Sequence, residues 1–157
     1  MSNTCEVLKA PFEDVFRKFA YMDIQLWEGD DAYAKHWSLC TRVRCGTAAD
    51  DLVLILMFSP ELAATVTDNF LGIDGGSRPG QRIDTVSELT NVLAGQAYEV
   101  LRAGTRPDFI RPPELLNIRE AMEIWSGASP ECRFCLCLED SIVGGLVVAA
   151  RNEWSHA

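Results

Sequence analysis

The stretch Arg82–Gly104, RIDTVSELTNVLAGQAYEVLRAG, is the longest amphipathic segment of the chain and constrains its fold more than any other. Its spacing predicts one long helix. Asp84 stands where an N-cap would, its carboxylate free to accept from the first unpaired backbone N–H groups. Gly104 stands where a left-handed residue would close the last turn. At about 100° per residue, Val86, Leu89, Val92, Leu93, Ala97 and Val100 share a broad apolar face. Asp84, Glu88, Asn91 and Gly95 fall almost opposite, at i, i+4, i+7 and i+11. Two acids, an amide and a glycine therefore share one outward stripe. The glycine is the odd member, because in an exposed helix interior it costs about 1 kcal/mol relative to alanine. The usual compensation is the close approach of another backbone or a ligand.

The segments around this helix read as a mixture of helices and short strands. Phe12, Val15, Phe16 and Phe19 recur at helical spacing and predict a helix over Pro11–Ala20. Asp23–Gly29 predicts a short strand, Asp30–Lys35 a polar connector, and His36–Cys45 a second strand. Gly46–Asp51 would turn into a buried strand over Leu52–Phe58. Ser59-Pro60-Glu61 is a helix start, with a capping serine, proline in the first turn and an acid behind it. That helix should bury Leu62, Ala63, Val66 and Phe70 and end before Gly72. Gly72–Gly80 lacks the Gly-Lys-Ser/Thr ending of a phosphate-binding loop and reads as a connector. Three prolines make Thr105–Pro113 irregular. Leu115–Gly127 reads as a turn of helix followed by a strand through Ile124 and Trp125. Cys132–Leu138 and Ile142–Arg151 form a terminal hairpin turned at Glu139-Asp140-Ser141. Helices against an antiparallel sheet make this an α+β fold.

Composition excludes several functions. With 23 acidic against 14 basic residues the net charge is −9, which disfavours nucleic acid and anionic membrane surfaces as partners. The apolar runs Leu52–Phe58 and Ile142–Ala150 are too short to span a bilayer. Met1–Ala10 shows no charged start followed by an apolar core, so a cytoplasmic protein with reduced cysteines is expected. Cys132-x2-Cys135 has the spacing of a zinc half-site, which Cys40 or Cys45 could complete. In an extended strand, however, Cys135 and Cys137 share a face and Cys132 lies on the other. Core cysteines and no metal are expected. His36 and His156 have no visible nucleophile or triad partner. Trp27, Trp37 and Trp125 are core or interface candidates, and Trp154 a candidate to close the C-terminus.

Asp84-x3-Glu88-x2-Asn91-x3-Gly95 resembles the signature of the CheX/CheC family of chemotaxis phosphatases. Leu52–Phe58 running into Ser59-Pro60-Glu61-Leu62-Ala63 is similar to the strand-to-helix passage that precedes that signature. The opening helix after Pro11, the overall length and Pro112-Pro113 are also in keeping with it. Glu13 has Phe16 three residues on, where a second site would need an amide, so the chain looks like the one-site CheX type.

The resemblance implies a CheC-like fold, a tandem α-β repeat forming a single domain over residues 1–157 that pairs into a homodimer. It implies hydrolysis of the phospho-aspartate of a CheY-type response regulator. An acyl phosphate is already activated, and what it lacks is a water held in line with the bond to be broken. The resemblance assigns that task to the amide of Asn91, and assigns Glu88 to pairing with the regulator's lysine. Asp84 and Gly95 are implied in partner binding, the glycine because the helix must enter a narrow pocket. No cofactor of its own is implied, since Mg²⁺ comes with the phosphorylated regulator. The chain's charge offers no long-range attraction to an acidic phosphorylation pocket, so recognition must rest on local contacts. Two other readings stand beside this one: a non-catalytic docking module of the flagellar-switch type, and a plain dimeric scaffold.

Overall fold

The computed structural model describes residues 4–28 and 37–150. The Asp30–Lys35 connector, Gly29, His36, Arg151, Trp154 and His156 lie outside the described residues. Along the chain come α1 (Thr4–Ala20), β1 (Gln25–Glu28), β2 (Leu39–Gly46), β3 (Asp51–Phe58), α2 (Pro60–Leu71) and α3 (Pro79–Leu101). They are followed by β4 (Phe109–Ile110), β5 (Glu114–Leu116), α4 (Ile118–Gly127), a 3₁₀ turn (Pro130–Cys132), β6 (Arg133–Leu138) and β7 (Ser141–Ala150).

The strands form one antiparallel sheet in the order β1-β6-β7-β3-β2-β4, with β5 also on the free side of β2. Two hairpins, β2–β3 and β6–β7, meet where β3 pairs with β7. The strand from the first half of the chain, β1, edges the second hairpin, and β4 and β5 from the second half edge the first. The tandem repeat inferred from element order is thus an interleaved one.

Alternation along the strands sends side chains to two cores. On one face Val43, Leu54, Leu56, Phe134 and Leu136 pack under α1, α2 and α3, joined by Phe12, Phe16, Leu62 and Leu93. Each fully buried phenylalanine there contributes about 2 kcal/mol of transfer free energy. On the other face Ile55, Met57, Cys135 and Val147 pack under Trp125 of α4 and against Trp37.

Several sequence expectations change. The first helix starts at Thr4, and Pro11 lies inside it. Leu8, one turn before Phe12, extends its buried face and explains the extra length. Ser59 caps α2 by accepting from Leu62 N–H at 3.1 Å, and Gly72 ends it in the left-handed region. Phe70 is not buried but stacks half-exposed on Phe19, ring centroids 4.4 Å apart.

The proline-rich stretch contains a short strand, since Phe109–Ile110 pairs with Cys45–Gly46 and Glu114–Leu116 with Cys40–Arg42. Pro112-Pro113, which cannot donate to a ladder, separates the two pieces of this edge. Ile118–Gly127 is a helix, with no strand through Ile124 and Trp125. Asn117 accepts from Glu120 N–H at 2.8 Å, and this Asn-x2-Glu start is a helix signal that the apolar pattern alone obscured. The terminal hairpin turns at Glu139-Asp140, both with positive φ, as a two-residue connection requires.

Candidate functional site

Helix α3 begins before Asp84. Its N-cap is Arg78, whose N–H donates to Gln81 Oε1 at 2.8 Å, and Pro79 opens the first turn with its preset φ. Asp84 therefore caps nothing; it stands exposed in the second turn. At the other end Gly104, φ +84°, donates its N–H to Glu99 O at 2.8 Å and closes the helix as expected, with Ala103 also left-handed.

A seam of contacts at i+4 spacing fixes the rotation of α3 on the sheet. Thr90 Oγ1 lies 2.6 Å from Thr41 Oγ1 on β2 and donates to Val86 O at 2.6 Å, leaving Thr41 as donor to Thr90. Four residues on, Ala94 O accepts from Cys45 Sγ at 3.4 Å. Tyr98 OH reaches Asp50 O at 3.5 Å, and Arg102 Nη2 donates to Asp50 Oδ1 at 3.1 Å. The hydrogen bond from Arg102 holds the Asp50 carboxyl below its ordinary value. This seam turns Val92 outward, to 40% exposure, against the expectation that it is buried, while Val86, Leu89, Leu93 and Ala97 are buried as expected. Thr90, Ala94 and Tyr98 carried the missing signal, a line of small and hydroxylated residues one helical turn apart.

The same rotation places the stripe. Asp84 and Glu88 are exposed, and Asn91 and Gly95 are half-buried, the glycine facing Ile110 of β4. Asn91 Oδ1 is fully buried and has no hydrogen-bond partner among the described residues. A buried acceptor without a partner costs about 1–3 kcal/mol. Glu88 and Asn91 are thus brought to one helix face, an exposed carboxylate one turn before an amide whose acceptor is unused.

Gly95 is not forced by the chain's own packing. A Cβ there would meet one side-chain atom, Ile110 Cδ1, at 3.4 Å, an ordinary contact. Gly95→Ala is expected to raise stability by about 1 kcal/mol, read as a higher urea midpoint. A lowered midpoint would mean that the fold itself needs the glycine.

The structure gives no counterpart of this stripe on α1. Phe16 is fully buried, and Glu13 Oε2 accepts from Leu26 N–H of β1 at 3.2 Å, covering part of a sheet edge.

The cysteines divide differently from expectation. Cys132 is not on the strand face opposite Cys135 and Cys137. It lies in the 3₁₀ turn before β6 and packs on the same core as both. Cys40 shares that core, whereas Cys45 is on the other side of the sheet and cannot join them. Burial pushes the Cys40 and Cys137 thiols up to about 12 and Cys45 to about 11, so these are unreactive core groups. Among the described residues no three His, Cys, Asp or Glu side chains converge as a metal site. No helix among the described residues is long and apolar enough to cross a membrane.

No protein-family model matches the chain, and neither does any curated protein sequence. Solved structures do match. The chemotaxis protein CheX from Vibrio vulnificus is 14% identical with a TM-score of 0.67, over 96% of this chain and 100% of that one. A CheX–CheY–BeF3–Mg²⁺ complex from Borrelia burgdorferi contains a chain 18% identical with a TM-score of 0.64, over 93% of this chain and 96% of that one. Thermotoga maritima FliY is 16% identical with a TM-score of 0.58, over 93% of this chain and 85% of that one. The chain has the fold of the CheX- and CheC-like chemotaxis proteins.

Proposed function

We propose that the chain is a CheX-like phosphatase that removes the phosphoryl group from the phospho-aspartate of a CheY-type response regulator. The observation that carries this reading is the half-buried amide of Asn91, whose Oδ1 has no partner among the described residues, beside exposed Glu88 on one face of α3. An amide can accept from and donate to a water at once, and it does not titrate near neutral pH. Asn91 would hold the water in line. The water oxygen bonds to phosphorus as the bond from phosphorus to the aspartyl oxygen breaks. The carboxylate leaves with the bonding pair, and the water's protons pass to phosphate and solvent.

Glu88 would pair with the regulator's lysine and set the register of the helix. Gly95 would give the partner's backbone room. Magnesium would belong to the regulator, in keeping with the Borrelia complex, whose CheX and CheY occur together with BeF3 and Mg²⁺. The homodimer is part of the same proposal, since the sheet ends in short edges at β1 and at β4–β5.

The test is decay of the acyl phosphate on CheY-type receiver domains from the same source, with and without this protein. Acceleration of at least about 100-fold by a species that light scattering reads as a dimer is the expected result. Tight binding to the phosphorylated domain with no acceleration would favour the docking-module reading. Neither binding nor acceleration would leave the scaffold.

A further inference from the structure

We infer that the site holds its partner through an uncharged notch beside the Glu88–Asn91 pair, floored by Gly95 and edged by Val92, Ile110 and Leu115. Its occupant is an apolar side chain next to the phosphorylation pocket of a receiver domain. The inference rests on the regulator-binding reading above and adds where the affinity comes from.

Four observations build the notch. Above Gly95 a Cβ would meet only Ile110 Cδ1, so the space over the glycine is open. Ile110 stands opposite Cys45 in the β2–β4 ladder, and Leu115 opposite Thr41 in the β2–β5 ladder. Cys45 and Thr41 both bond to α3, so their cross-strand neighbours face the same helix. Ile110 and Leu115 are nonetheless 44% and 52% exposed, and Val92 on the helix is 40% exposed. Three aliphatic side chains from three elements thus stand exposed along this flank of α3, with Ile110 against the open glycine and no partner for them shown among the described residues.

Charge indicates the kind of occupant. One turn beyond Gly95, Glu99 is held by Arg106 at 3.4 Å, and Arg102 by Asp50. Both ionised groups of that turn are therefore already paired within the chain. A net charge of −9 supplies no pull towards an acidic pocket. An aliphatic or aromatic side chain gains by entering such a notch, whereas a carboxylate would lose its hydration beside exposed Glu88.

The experiment measures binding of a CheY-type receiver domain, activated with beryllofluoride and Mg²⁺, to wild type and to the double variant Ile110→Ser/Leu115→Ser. The dissociation constant should rise at least about tenfold in the variant. The rise should exceed that caused by taking wild type from about 50 to about 500 mM salt, where exposed pairs are screened. The single variant Leu115→Ser, at the more exposed position, should weaken binding in the same direction and serves if the double variant does not fold. Wild-type binding and hydrolysis with unchanged affinity in the variants would overturn the notch and leave the phosphatase reading intact. Lost affinity in the variants with no hydrolysis by wild type would support the notch and overturn the phosphatase. Absence of wild-type binding would overturn both.

Discussion

Asn91→Ala should bring the decay of the regulator's acyl phosphate back to the regulator's own rate, a loss of about 100-fold or more, with binding largely kept. The size follows from what the amide would do. A water free to tumble is seldom in line with the breaking bond, and misplacement by about 1 Å can cost about 100-fold. Binding should survive because Glu88 and the aliphatic rim are untouched.

The fold should survive too, for a reason specific to this position. Asn91 Oδ1 is buried without a partner among the described residues, so alanine removes a group that they leave unsatisfied. The urea midpoint of Asn91→Ala is expected within about 0.5 kcal/mol of wild type or above it. Glu88→Ala should behave differently, losing affinity more than rate, because its partner is a lysine on the other protein. Single-turnover decay at saturating enzyme separates the two. If Asn91→Ala still hydrolyses at the wild-type rate under those conditions, α3 does not carry the active site.

What the sequence disclosed follows from the range of each interaction. The stripe was legible because helical spacing is local: Asp84, Glu88, Asn91 and Gly95 share a face in any helix long enough to hold them. Ser59 and Gly72 were legible as caps for the same reason. The rotation of α3 was not, because Thr90, Ala94 and Tyr98 meet β2 and the β2–β3 turn some fifty residues away. Val92 was accordingly assigned to the core although it lies at the rim of the site. The start of α3 was misplaced because a stronger local signal, Pro79 followed by Gln81, sits inside what reads as a glycine-rich connector. Cys132 was assigned to the wrong side of the sheet because a parity argument holds only within a strand, and it precedes the strand. Ile110 and Leu115 carry no sequence signal for the site, since strand register alone sets them opposite Cys45 and Thr41, the residues of β2 that bond to α3.

Gly145→Ala should be strongly damaging, lowering stability by about 3 kcal/mol. Intrinsic preference points the other way, since glycine within a strand is worse than alanine by about 0.5–1 kcal/mol. Packing decides against it. Gly145 lies on β7 between Cys135 of β6 and Met57 of β3, in the middle of the sheet. A Cβ there would overlap the far edge of the Trp37 indole and come within 2.9 Å of Trp125 Cζ3.

Neither ring can move aside. The two indoles are set edge to face with centroids 4.7 Å apart, and Trp125 is fully buried. Arg133 lies over the Trp125 ring and donates from Nη1 to Trp125 O at 3.0 Å, which ties α4 to the start of β6. A methyl group at Gly145 must therefore push α4 off the sheet or bend the central strands. Against a total stability of about 5–15 kcal/mol, that is a large share. Urea unfolding followed by tryptophan fluorescence should show a lower midpoint at unchanged slope. Hydrolysis per folded molecule should be unaffected, because α3 lies on the opposite face of the sheet. A midpoint within about 0.5 kcal/mol of wild type would mean that the indole pair is looser than its geometry indicates.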